Sequence, residues 1–114
     1  MQVVFIVLNK TGKLDELLKE FVEIGIKGAT ILESTGMGRL LVSADAEEIP
    51  FFSSLRIMLN EGKPFNKTIF SVVSDDQVPK LVETYEKVVG DLHQADTGII
   101  FTMPVSFVKG GKLA

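Results

Sequence analysis

Gly36-Met37-Gly38-Arg39 is the segment of this 114-residue chain with the clearest capacity for chemistry. Two glycines one residue apart let the backbone turn its N–H groups toward a ligand, and the Arg39 guanidinium can clamp an anion in paired hydrogen bonds. A loop hinge with a solvated arginine is the other reading of the same four residues. His93, the sole histidine, stands between Asp91 and Asp96, a setting for a metal ligand or proton carrier. With no cysteine and no second histidine, one copy cannot complete a transition-metal site. Three copies about an axis could, and a solvated turn histidine is the simpler reading. Asp75 and Asp76 form a carboxylate pair, but at a helix start they are accounted for as cap and dipole partners. No nucleophile elbow or triad-like arrangement accompanies the serines and lysines. The expectation is a protein that is not an enzyme, with no catalytic and no metal-ligating residues in one chain.

The elements that must position these residues follow from periodicity. Val3 to Leu8 is a continuous apolar run, a strand buried on both faces or set at a subunit contact. Asn9 to Gly12 turns the chain. Leu14, Leu17, Leu18, Phe21 and Val22 then recur at helical spacing, with Asp15 and Glu16 in the first turn and Gly25 just past the end. Residues 29–34 form a second strand. The plan then repeats. A strand over Thr68 to Val73 leads into a capping box, Ser74-Asp75-Asp76-Gln77. A helix follows with the stripe Val78, Leu81, Val82, Tyr85, Val88 and Val89, Gly90 ends it, and Gly98 to Val105 is the last strand. Two such units in succession predict an α+β fold, a ferredoxin-like βαβ–βαβ sandwich with one antiparallel sheet.

Between the halves runs a connection, about residues 36–67, far longer than paired strands need. Its stretch Ile49 to Gly62 is unusually apolar for a loop. Pro50 can start a helix, Ser53 or Ser54 can cap it and Gly62 can end it. Phe51, Phe52, Leu55, Met58 and Leu59 then share one side. Packed on its own sheet or a neighbouring subunit, each large side chain stabilises by roughly 1.5–3 kcal/mol. Left exposed, the same side is an apolar arm for a partner protein, and a ligand that releases it would let both arrangements exist in turn.

Composition sets the outer bounds. A chain of 114 residues, 46% hydrophobic with eight phenylalanines, is expected to be one domain over residues 1–114 with a compact core. Fifteen acidic against twelve basic residues, net −3, leave no basic footprint for nucleic acid. The absence of cysteine removes disulfides and thiolate sites. The first apolar run is shorter than a signal core or a membrane span, so a cytoplasmic protein without membrane insertion is expected.

Three stretches, in this order and spacing, resemble the nitrogen-regulatory PII family. The first is Lys13-Leu14-Asp15-Glu16 followed by Val22 to Thr30, similar to the family's opening helix and its exit into the second strand. The second is Gly36-Met37-Gly38-Arg39, which resembles the G-x-G-R at the base of the family's T-loop. The third is Phe101-Thr102-Met103-Pro104-Val105, similar to the final F-x-x-P-V strand. Ser74-Asp75-Asp76 also stands where the family has a helix-capping P-D-D.

The resemblance implies a homotrimeric signalling protein with nucleotide sites in clefts between subunits. It implies ATP, ADP or AMP as the ligand. It also implies that the 36–67 loop regulates a partner protein, such as a membrane transporter or an enzyme. By the same resemblance Gly36, Gly38 and Arg39 lie beside the phosphates, Gly28 and Thr30 near the adenine, and Lys67 at the end of the loop. Val73 and Gly98 match adenine-side backbone positions.

The departures are specific. Leu40 stands where the family has a glutamine that organises its metal and 2-oxoglutarate site. Leu92 to Ile99 replaces the phosphate-binding T-G-x-x-G-D-G-K, with Asp96 at one glycine and Ile99 at the lysine. An aspartate facing a triphosphate repels it. The tail's arginine pair and the loop tyrosine have no counterpart, since the only tyrosine is Tyr85. Two alternatives stand beside the nucleotide sensor. One is a ligand-free structural or assembly trimer. The other is a metal-responsive trimer using His93, resembling the divalent-ion tolerance proteins of the same fold.

Overall fold

Alternation of side chains organises the first strand. In a computed structural model that describes residues 1–37 and 65–111, β1 (Gln2–Leu8) buries Val4, Ile6 and Leu8 and leaves Val3, Phe5 and Val7 on the opposite face. One face of this strand is therefore buried within the chain, rather than both. β3 (Phe65–Val73) runs antiparallel beside it, with Val73 opposite Gln2 and Lys67 opposite Leu8. β4 (Ile99–Pro104) flanks the other side, with Pro104 opposite Gln2 and Ile99 opposite Val7. β2 (Thr30–Thr35) pairs with β3 from the outside, giving the order β2-β3-β1-β4. This is the antiparallel ferredoxin-like sheet expected from the two βαβ units. β3 begins at Phe65, three residues before the expected Thr68, because its ladder with β2 continues to the Thr35–Phe65 pair.

Both helices lie on one face. A 3₁₀ turn (Thr11–Lys13) leads into α1 (Leu14–Glu23), and α2 (Gln77–Val88) follows β3. Leu17 and Phe21 of α1 and Leu81 and Tyr85 of α2 close over Val4, Ile6, Leu8, Ile69 and Val73. Gly25 (φ +91°) and Gly90 (φ +133°) follow the two helices in conformations that cost a Cβ-bearing residue strain. Val22 departs from the expected stripe. It is 65% exposed.

The capping box forms by half. The Ser74 N–H donates to Gln77 Oε1 at 2.9 Å, but the Gln77 N–H is taken by the Ser74 carbonyl at 3.0 Å and not by its hydroxyl. That hydroxyl donates to Gln77 Oε1 instead, at 3.0 Å. The carboxylates differ from expectation as well. Asp76 is the N-cap residue and makes no side-chain cap bond, while Asp75 pairs with the Met1 ammonium at 3.1 Å. Antiparallel pairing explains this, since Gln2 opposite Val73 brings the chain start beside the residues after β3. The ammonium's hydrogen bond and charge, and then Gln2, hold the Asp75 carboxyl below its ordinary value.

Tyr85 is fully buried and donates its hydroxyl to the Thr97 carbonyl. Burial pushes its phenol up from 10.0 to about 12. An unfolded chain loses that proton near pH 10 while the folded chain keeps it, so stability is full below pH 10 and falls as pH rises toward 12. The expected loss is about 2–3 kcal/mol. Urea unfolding across pH 8–12 should show it. Tyr85→Phe should flatten that alkaline limb while costing about 1–3 kcal/mol at neutral pH, because the buried Thr97 carbonyl loses its donor.

Candidate ligand-binding site

After Gly25 the buried Ile26 anchors the return from α1, and the Ser71 hydroxyl donates to the Gly28 carbonyl, fixing the approach to β2 against β3. Thr30 opens β2 opposite Phe70. From the other edge, the Val105 N–H donates to the Met1 carbonyl at 3.1 Å as the chain leaves β4. The tail continues so that Val108, Gly110 and Gly111 close a groove with Gly28, Thr30, Phe70 and Val72. The groove encloses ≈ 650 Å³ and is mainly apolar, with Lys27 its one charged lining residue among those described. Val73 lies in an adjoining cleft of ≈ 310 Å³ with Met1, Ile26, Ser74 and Gln77, and Val72 borders both.

The structure therefore places Val73 at the Gln2 end of β1, with Gly28 near it, while Thr30 sits opposite Phe70 and so level with Phe5 at the middle of the strand. Lys67 and Gly98 lie at the Leu8 end, six residues along β1 or about 20 Å from Val73, and three residues or about 10 Å from the level of Thr30. Lys67 is ion-paired with Glu33 across the β2–β3 ladder. Gly36 directly follows Thr35, the last residue of β2, so it also belongs to this far end. Below it Ser34 Oγ bonds Asn66 Oδ1 and lies 2.7 Å from Thr68 Oγ1, fixing the two strands where the long connection leaves and returns. Gly38, Arg39 and Leu40 lie outside the described residues, as do Phe51, Phe52, Leu55, Met58 and the rest of the expected apolar helix.

Gly98 has a packing reason for being glycine. Its φ is +113°, and a Cβ there would run into the Val7 carbonyl and come within 2.7 Å of the Tyr85 hydroxyl. Before it, residues 91–97 fold on themselves. The N–H of Leu92 donates to the Glu86 carboxylate at 3.0 Å and that of His93 to the Asp91 carboxylate at 2.9 Å. The Gln94 N–H donates to the Asp91 carbonyl at 3.0 Å, and the Thr97 hydroxyl to the Gln94 carbonyl at 2.9 Å. Lys10 reaches the Val89 carbonyl at 3.4 Å beside this loop. Among the described residues no group of three or more His, Cys, Asp or Glu side chains is arranged to hold a metal.

The face of the sheet away from the helices is apolar. Phe5 stacks on Phe101 with ring centroids 5.1 Å apart and meets Phe70 at 5.9 Å, a ladder of three rings across β4, β1 and β3. Ile99, Phe101 and Met103 are each about half exposed in the single chain. Sequence reasoning missed Lys27, Phe70, Val72 and Val108 as groove residues. Period-two alternation of β3 already put Phe70 and Val72 on one face; the path of the tail over them has no local signal.

No helix among the described residues is long and apolar enough to cross a membrane. No curated protein sequence matches the chain. The family model described as nitrogen regulatory protein P-II matches residues 1–110. With the sheet order, the two covering helices and the position of the long connection, that match leads to one conclusion: the chain belongs to the nitrogen regulatory protein P-II family and is a PII-like regulatory protein.

Proposed function

We infer that this protein is a homotrimeric signalling regulator, not an enzyme, and that it binds a small anionic ligand, an adenine nucleotide, between subunits. Ligand binding biases the 36–67 connection, which acts on a partner protein in the cytoplasm. The observation that carries this reading is the division of the expected ligand residues between opposite ends of one sheet whose outer face is apolar. Val73 is about 20 Å from Lys67 and Gly98 in one copy, too far for one small molecule to span, while Thr30 lies between the two ends, opposite Phe70. Copies packed through the Phe70–Phe5–Phe101 face can bring one copy's groove to its neighbour's far end. The connection enters and leaves at that far end, so a ligand held there touches its base. Phe51, Phe52, Leu55 and Met58 are the side chains this reading assigns to the partner.

A thermal-shift panel of ATP, ADP, AMP and cyclic nucleotides tests the ligand. Saturating binding to the folded trimer at a hundredfold excess over Kd should add about 2.7 kcal/mol, seen as a clear rise in Tm. A flat response across the panel at millimolar concentration would sink the nucleotide reading. The close packing at Gly98 favours the alternative of a ligand-free assembly trimer at that position, because its glycine is explained without any ligand. That alternative predicts the flat response together with an intact trimer.

A further inference from the structure

The loop between α2 and β4 carries three successive N–H groups, on Leu92, His93 and Gln94, and the chain itself occupies all three. Left-handed backbone at Gly90, Asp96 and Gly98 (φ +133°, +63° and +113°) curls this segment, and tightly turned backbone of this kind gathers N–H dipoles into concavities that suit anions. Here two of the three acceptors are carboxylates, those of Glu86 and Asp91. An incoming phosphate would have to displace a charged acceptor already in place and then remain beside that acceptor's charge. The groove at the other end adds little compensation, since Lys27 is its one charged lining residue among those described, beside Phe70, Val72 and Val108.

The geometry points to a ligand with a flat, apolar body and at most one phosphate, a nucleoside or nucleoside monophosphate. Glu86 and Asp91 are the residues that discriminate against a polyphosphate tail. The inference rests on the intersubunit reading above, in which one copy's loop faces its neighbour's groove. It adds to that reading the chemical class of the ligand and the groups that set it.

Calorimetric titration of the trimer with adenosine, AMP, ADP and ATP tests it, alongside the Glu86→Gln/Asp91→Asn double variant. The wild type should bind AMP about tenfold more tightly than ATP, since added phosphates gain no new donors and meet the charges of Glu86 and Asp91. The double variant frees the N–H groups from charged acceptors, and its ATP affinity should rise about tenfold with AMP unchanged. Asp91→Asn alone keeps the Glu86 bond to Leu92 and serves if the double variant fails to fold; its expected gain is about threefold. ATP binding to the wild type as tightly as AMP, or more tightly, would overturn the inference and leave the nucleotide reading intact. An unchanged ATP-to-AMP ratio in the variants would overturn the assignment of the two carboxylates. Failure of adenosine, AMP and ATP alike to bind the wild type would remove the nucleotide reading, and this inference with it.

Discussion

Phe101→Asp is expected to convert the proposed trimer into soluble monomers. Phe101 is 45% exposed in the single chain, so an aspartate there keeps water on one side and leaves the fold in place. Its ring nevertheless stacks on Phe5 at 5.1 Å, in the middle of the apolar sheet face through which the proposed trimer packs. An unpaired carboxylate pressed into such a contact costs several kcal/mol per copy, and a closed trimer incurs that cost three times. Light scattering should read three 12.5 kDa chains for the wild type and one for the variant, with unchanged far-ultraviolet circular dichroism. Val22→Asp is the matched control. Val22 is 65% exposed on the helix layer, and its replacement should leave the mass unchanged. A trimeric Phe101→Asp protein would mean that the copies meet elsewhere.

The second large effect concerns two glycines that the family resemblance puts in the same class. Gly98→Ala should destabilise the fold by about 2–5 kcal/mol, since it adds positive-φ strain to a clash with a backbone carbonyl that cannot move aside. The Val7 carbonyl belongs to β1 at the centre of the sheet, and the Tyr85 hydroxyl is already engaged with Thr97. Gly28→Ala should change stability by less than about 1 kcal/mol, because nothing lies within 4 Å of a Cβ there and its φ is not in the left-handed region. Its added methyl lies at the groove, so any effect should appear in ligand affinity. Denaturant unfolding of both variants separates the roles. Equal losses would place both glycines in the framework.

What could be read from the sequence divides along the range of the interactions. Both helices, both closing glycines and all four strands follow from period and local cost, so α1, α2, Gly25 and Gly90 stand where the pattern puts them. Local rules weakened where distant chain intervenes. The Asp75 carboxylate reads as a helix partner until β1 brings the Met1 ammonium to 3.1 Å. Val22 fits the apolar stripe by spacing, yet it is 65% exposed in the folded chain, at the rim of a shallow pocket it shares with Phe21, Ile26 and Ile31. Gly98 reads as a ligand contact, and only the approach of the Val7 carbonyl and the Tyr85 hydroxyl, both distant in sequence, reveals its packing role. The candidate site was partly legible for the same reason, through Gly28 and Thr30. Gly28 and Thr30 do border one groove and Val73 the cleft beside it, while that groove is completed by a tail that arrives from the opposite edge of the sheet.

The stoichiometry of AMP binding, measured by titration calorimetry on wild type and Phe101→Asp side by side, bears most directly on a ligand site shared between copies. One AMP per chain should bind the wild-type trimer, and none should bind the monomeric variant, whose half-sites no longer meet. Equal binding by the monomer, or none by the trimer, would contradict the account.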